Sequence, residues 1–423
     1  MLDIKFIREN KKEVEKAIKN KNVNLDLGRL LLLDKEKQDL QQKIEKLRSE
    51  RNCLAKSRTE VIKAKKVKEF LRDLEPRFTE VSEELLEIML HVPNIYSDDT
   101  PIGKDEKENK VIYSWGKLKK FSFKIKDHIE LAKDLDLIDL ERGTKVSGFR
   151  GYYLKNQAVK LQLALMQYTL DKLSAEGFTP MITPTLVHKM ALVGSGHFPE
   201  AKDEIYQIAN PGKLSSGEAI KEETYLVGTA EPSLLAYRAN EVLDESELPL
   251  KFSGFSQCYR SEIGSYGKDL KGVFRIHEFM KVEQVVICKA DYKEAEKMFS
   301  KLLAISQSIL KDLELPYQVV QMCTGDMGLG KYKMCDVETW MPANNAYRET
   351  HSCSNLTDWQ MRRLSIRYKT KDGQKLYPFA LNNTGIASPR ILIALLENHQ
   401  QEDGSIKIPK GLQKYTNFNK IQK

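Results

Sequence analysis

Six cysteines (Cys53, Cys258, Cys288, Cys323, Cys335, Cys353) form no C-x-x-C pair, and a chain of 423 residues buries enough core to need no disulfide staples. Reduced thiols are expected. No zinc is expected either, because a structural site wants Cys and His at short spacings. No apolar run approaches the roughly 20 residues that cross a bilayer, so no membrane role is expected. Met1 to Asn10 carries acids early and lacks an apolar stretch ending in small residues, which makes the cytoplasm the expected location. The net charge of +8 is too small to name a partner by itself. An apolar share of 41% and a charged share of 30% are those of a soluble globular protein, and the length favours two domains.

The first hundred residues carry a heptad signature. Apolar residues recur at Leu30, Leu33, Leu40, Ile44, Leu47 and Leu54, broken only by Lys37 and Arg51, and again at Val67, Leu71, Leu74, Phe78, Val81, Leu85, Ile88 and Val92. Two such limbs joined by a polar stretch predict an antiparallel hairpin over about 29–92. At about 1.5 Å per residue, a limb of some 25 residues projects roughly 38 Å. Pro76 must kink the second limb or open its regular part. Between Arg48 and Lys68 stand eight basic residues and two acids. Such a tip suits a sugar-phosphate backbone, and equally a solvated dimerisation coil. Ser97 to Lys110, rich in charge with Pro101 and Gly103, reads as a linker.

In the second half, residues 156–176 read as a helix stopped by Gly177, followed by a strand from Phe178 to Thr183. Lys251 to Arg260 predicts a strand, Ser261 to Gly272 a polar loop, and Val273 to Ile287 a second strand. Period-two alternation puts Arg275, His277, Phe279, Lys281 and Glu283 on one face of it, and Phe274, Ile276, Met280, Val282 and Val286 on the other. Phe279 and Glu283 would stand about 13 Å apart, the span between a nucleobase and the amino group of an aminoacyl-adenylate. An aromatic for the base, a carboxylate for an ammonium and an Arg for phosphate are all on hand. Taken alone, the loop reads more plainly as an exposed strand with mixed charges.

Arg260 to Glu283 resembles throughout the second class II motif of the seryl-tRNA synthetases. The resemblance continues at Thr229-Ala230-Glu231, at Glu349-Thr350-His351-Ser352-Cys353-Ser354-Asn355, and in the third motif from Thr384-Gly385 to Arg390. It covers essentially the whole chain, heptad arm included. The helix and strand before Pro184 are similar to the first motif, which in that family builds a dimer interface. The fold implied is α+β: an N-terminal coiled-coil arm over 1–105 that binds tRNA, then a class II core over 106–423 built on a mainly antiparallel sheet flanked by helices.

The same resemblance implies the activity of a serine–tRNA ligase. The chain would activate L-serine with ATP and Mg²⁺, then pass it to tRNA(Ser), and to tRNA(Sec) if present, as a homodimer. Arg260 would hold the α-phosphate and the serine carboxylate, and Arg390 the far end of the triphosphate; with Glu349 they form the catalytic set. Thr229, Ala230, Glu231, Glu283 and Thr384 would line the serine pocket, Glu283 taking the ammonium. Ser261, Glu262, Ile276, Phe279, Thr350 and His351 would contact ATP, with Phe279 beneath the base. Glu349 and Ser352 would coordinate Mg²⁺. Arg51, Lys56, Arg58, Lys63, Lys65 and Lys66 would meet tRNA. The sequence departs from the family pattern at Thr384, where Ser is usual, and at Thr350-His351, where Ile-Ser is common.

Three other readings fit parts of the chain. Gly325 to Lys331 satisfies G-x-x-x-x-G-K, but Tyr332 stands where a P-loop needs Ser or Thr, and no helix pattern follows. A paralogue that loads a carrier protein would be expected to lack the arm. A non-catalytic coiled-coil nucleic-acid-binding protein would leave Arg260, Glu283, Glu349 and Arg390 unexplained.

Overall fold

Both heptad limbs are helical: α1 spans Leu27–Leu54 and α2 spans Val61–Leu90. The computed structural model describes residues 1–54, 61–210, 212, 222–263 and 272–423. The apolar stripes meet as their spacing requires. Ile44, Val67 and Leu71 form a buried cluster against which Leu47, Leu54, Leu74 and Phe78 pack. Lys37, a break in the first stripe, lies 6.0 Å from the centroid of the Phe78 ring. Arg29 with Glu84, Arg48 with Glu75 and Arg77 with Glu36 pair across the limbs at 2.7, 2.8 and 2.7 Å. Exposed pairs of this kind contribute at most about 1 kcal/mol each, so apolar packing carries the hairpin. Pro76 lies well inside α2 rather than at its start, on an exposed position.

The chain divides into Met1–Ile95 and Tyr96–Lys423. The linker expected from Ser97 to Lys110 is therefore part of the second unit, and residues 96–105 do not belong with the arm. Its composition suggested solvent, but its backbone is tied down. The Ser97 amide donates to the Tyr332 carbonyl at 2.9 Å, and the amides of Thr324 and Gly325 donate to the carbonyls of Pro101 and Gly103 at 2.9 Å.

The second unit is built on an eight-stranded sheet. Its strands are β1 (Lys110–Trp115), β2 (Thr179–Ile182), β3 (Leu250–Tyr259), β4 (Glu278–Cys288), β5 (Tyr317–Gln321), β6 (Lys333–Met341), β7 (Ala346–Thr357) and β8 (Phe379–Ala387). They lie in the order β1-β5-β6-β7-β8-β4-β3-β2. Every neighbouring pair is antiparallel except β2 with β3. Helices α3 (Asn156–Ala175) and α4 (Tyr292–Asp312) supply Leu161, Leu165, Phe299, Leu302 and Ile309 to the core that Val282, Val286 and Leu381 of the sheet complete. Gly177, at φ +81°, follows the end of α3 in the left-handed conformation that a glycine adopts without strain.

The strand after the polar loop begins at Glu278, not at Val273. Pairing with β3 ends at Tyr259 opposite Glu278, and beyond it the Arg260 amide donates to the His277 carbonyl at 2.9 Å. Residues 273–277 are turn, bend and irregular backbone, so strand alternation does not apply to them.

Candidate active site

The central strands of the sheet converge on one cleft, lined among others by Thr229, Glu231, Arg260, Phe279, Glu283, Glu349, Ser352, Thr384 and Arg390. Alternation along β4 brings Phe279, Lys281 and Glu283 to it together, and alternation along β8 brings Asn382 and Thr384. Thr384 stands directly opposite Glu283 in the β8–β4 ladder. The register shifts immediately afterwards, at Gly385, where a Cβ would come within 2.9 Å of the Val282 carbonyl oxygen. Only a glycine lets β8 approach β4 this closely.

One group of side chains in the cleft is buried and charged. Glu283 is 3% exposed, and Lys281 Nζ lies 2.5 Å from its Oε2 while donating to Thr229 Oγ1 at 3.2 Å. Burial pushes the Glu283 carboxyl above the usual range, with Lys281 pulling the other way. Glu231 opens a short helix, Glu231–Ala236, and its Oε1 accepts from Gln360 at 2.7 Å and from Asn382 at 2.5 Å. Burial alone would raise Glu231 as well, but the charge of Lys331 and the Gln360 hydrogen bond hold it below the usual range. The two carboxylates thus differ in their partners, one amide-bound and the other lysine-bound. His197 also lines the cleft; burial lowers its basicity, and its Nδ1 is 2.9 Å from Ser195 Oγ.

The other group is more open. Arg260 hydrogen-bonds the Gly228 carbonyl through Nε at 3.3 Å, and its guanidinium sits 5.3 Å from the Phe279 ring centroid. Arg390, first residue of α5 (Arg390–His399), donates to the Glu349 carbonyl at 2.9 Å and to Glu349 Oε2 at 3.1 Å. Its guanidinium lies 4.9 Å from the Phe274 centroid. Arg275 reaches Glu262 Oε2 at 3.0 Å. Planar cations held beside aromatic rings, with donors still directed at the cleft, suit a phosphate chain and a base.

Twelve residues expected at the site line this cleft: the nine named above with Glu262, Ile276 and Thr350. Ala230, Ser261 and His351 do not. Ala230 is fully buried in an apolar cluster with Leu234. Ser261 turns aside to donate to the Asp203 carbonyl at 2.9 Å. His351 is buried outside the cleft, its Nδ1 2.9 Å from Thr350 Oγ1; the β6–β7 register slips between Glu349 and His351, and the neighbours Glu349 and Thr350 both line the cleft. Burial pushes His351 down to about 3, so it is neutral. Phe274 and Ile276, expected on a packing face, both line the cleft because that segment is not strand. On the arm, Arg51, Lys63, Lys65 and Lys66 are exposed, while Lys56 and Arg58 lie outside the described residues.

Several cleft residues had no expected role. Lys281 was placed on the correct face and given no function. Lys331, last residue of the rejected G-x-x-x-x-G-K, also reaches the cleft, as do His197 and Asn382. Asn382 stands two residues from Thr384, and the period of β8 could have found it. Nothing local signals His197. Among the described residues, no group of three or more His, Cys, Asp or Glu side chains is arranged to hold a metal, and no helix is long and apolar enough to cross a membrane.

Residues 1–96 match the seryl-tRNA synthetase N-terminal domain, and residues 213–399 match the tRNA synthetase class II core domain (G, H, P, S and T). The chain is 46% identical over 424 residues to the serine–tRNA ligase of Deinococcus radiodurans, covering 98% of this chain and 97% of that one. It is 41% identical to the serine–tRNA ligase of Borreliella afzelii, over 100% of this chain and 99% of the relative. Among solved structures, the seryl-tRNA synthetase of Pyrococcus horikoshii complexed with ATP superposes with a TM-score of 0.89 at 37% identity, over 100% of this chain and 99% of that chain. The cytoplasmic serine–tRNA ligase of Naegleria fowleri in complex with AMP gives 0.88 at 28%, over the same shares. Related over essentially its whole length to curated serine–tRNA ligases, the chain belongs to the seryl-tRNA synthetases.

Proposed function

We propose that this enzyme activates L-serine with ATP and transfers it to the 3′ end of tRNA(Ser). In the first step a serine carboxylate oxygen attacks the α-phosphorus of ATP, and pyrophosphate leaves. In the second, a ribose hydroxyl of the terminal tRNA adenosine attacks the carbonyl of seryl-adenylate, and AMP leaves. Neither step needs a protein nucleophile. Both need alignment and neutralised phosphate charge, which oriented guanidinium groups provide. The observation that carries this reading is one cleft in which buried Glu283 and Glu231 lie with the fork-shaped donors Arg260 and Arg390.

Glu283 receives the serine ammonium, while Thr229, Glu231 and Thr384 line the space for its side chain. Arg260 bridges the serine carboxylate and the α-phosphate, and Arg390 holds the far phosphates. Phe279, Ile276 and Glu262 receive the adenine. Glu349 and Ser352 are the candidate magnesium ligands, and their oxygen donors suit a hard cation. Beside Ser352 in the β6–β7 register, buried Asp336 leaves Oδ1 without a hydrogen-bond partner among the described residues. Burial and the charge of Glu349 push its carboxyl well above the usual range, a strain that a nearby cation relieves. Magnesium bound here would neutralise charge on the ATP phosphates.

The arm, through Arg51, Lys63, Lys65 and Lys66 with Lys56 and Arg58, contacts the tRNA backbone. A homodimer fits the apolar surface of α3 and β2, where Leu163 is 50% and Ile182 85% exposed. Charging of tRNA(Ser) with labelled serine, in the presence of ATP and magnesium, tests the proposal. Serine-dependent charging is expected, and its absence with intact enzyme would overturn the assignment.

A further inference from the structure

Lys281 has no part in the activity as described so far, yet it is one of the most buried cations of the molecule. It is 8% exposed and reaches two cleft side chains at once, Glu283 Oε2 at 2.5 Å and Thr229 Oγ1 at 3.2 Å. A lysine is rarely buried unless paired, and its desolvation costs several kcal/mol unless partners repay it. The position therefore calls for an explanation, and packing does not supply one: an apolar residue would fill the volume without that cost.

We propose that Lys281 is a positioning residue that stands in for the substrate ammonium, keeping Glu283 ionised and aimed while the pocket is empty and leaving one carboxylate oxygen for the incoming amino group. This rests on the reading of Glu283 as the ammonium site. Two physical arguments support it. First, Glu283 shares the cleft with a second buried carboxylate, Glu231, whose like charge disfavours ionisation. Burial raises the Glu283 carboxyl, and Lys281 on the same strand is the largest opposing influence, with Lys331 acting from its loop. The buried thiols of Cys258 on β3 and Cys353 on β7, both pushed up by burial, lie within electrostatic reach of Glu283, and Arg260 and neutral His197 share the cleft with it. Without Lys281 the balance in the empty pocket would shift toward a protonated Glu283, whose O–H finds no acceptor on an ammonium and which no longer carries the charge that attracts one. Second, an ammonium has donors only. When Lys281 donates to Thr229, the Thr229 oxygen is the acceptor and its own proton is free for an oxygen of the substrate. One cation thus sets both the charge of one serine contact and the polarity of another.

The test is amino-acid-dependent pyrophosphate exchange by the full-length enzyme, with serine and ATP varied separately across pH. Lys281→Met removes charge and donors; Lys281→Gln keeps a donor and removes the charge; Lys281→Arg keeps the charge. We expect Met and Gln to raise the serine KM about tenfold or more at neutral pH, as for loss of a charge-assisted contact, with the ATP KM within about twofold. The pH below which serine affinity falls should move upward in both, because a raised Glu283 carboxyl stays protonated to higher pH. Arg should restore most of the serine affinity. A wild-type serine KM and pH profile in either neutral variant would overturn the proposal, as would an Arg variant as impaired as Met. Failure of the underlying site assignment would show differently, as wild-type enzyme lacking serine-dependent exchange.

Discussion

The arm and the cleft are built on opposite terms. The arm is a local object: each contact between α1 and α2 follows from a repeat spacing, and its charged rim pairs Arg29, Arg48 and Arg77 with glutamates of the facing limb. Its stability is spread over many small apolar contacts, so single changes there are mild. The cleft is non-local: its working groups come from loops, from three strands (β4, β7 and β8), from the short helix that Glu231 opens and from the first residue of α5. There the charges fall into a buried group around Glu283 and Glu231 and a more open group around Arg260 and Arg390. The difference teaches where function is concentrated. The arm tolerates substitution and supplies reach, while the cleft depends on single side chains.

The largest expected effect separates the two regions outright. Deleting residues 34–90 should abolish tRNA charging while pyrophosphate exchange stays within a few-fold of wild type, since the second unit has its own core. Equal charging by the truncated enzyme would break the comparison. Within the cleft, Arg260→Ala should lower the rate of exchange by roughly 10²- to 10³-fold, the typical cost of removing a donor that stabilises developing charge; stopped-flow or steady-state exchange assays read this directly. Glu283→Gln is expected to raise the serine KM about tenfold or more while leaving the ATP KM within about twofold, because its partners lie in the buried group. A parallel rise in both constants would show that the two groups of side chains are not functionally distinct. Smallest is Thr384→Ser, which removes one methyl beside Glu283 and keeps the hydroxyl. Because the hydroxyl is kept, serine kinetics should change by less than about tenfold, the low end of the roughly 10- to 200-fold that a methyl carries in discrimination, and competition with threonine should show whether that methyl narrows the pocket.

How far the sequence reached follows the same division. The hairpin was fully visible because a period needs no distant partner. The strand pair β3–β4 was visible as well, but β4 was begun five residues early at Val273, which placed Phe274 and Ile276 on a packing face. Alternation persists in the sequence after the ladder has ended, and only the hydrogen bond from Arg260 to His277 reveals the end. His351 failed for a related reason: the motif grouped four consecutive residues, whereas the β7 register slips between Glu349 and His351, an irregularity that no sequence period signals. Lys281 was seen on the right face, yet its purpose requires a distance to Thr229, 52 residues earlier. His197 and Lys331 reach the cleft through loops, for which sequence periodicity has no signal.

The central claim is that this cleft selects serine for activation by ATP. Pyrophosphate exchange screened across all twenty amino acids with the full-length enzyme tests it most directly. The account predicts strong exchange with serine and, at most, weak exchange with threonine. Exchange led by another amino acid, or none with serine, would contradict it.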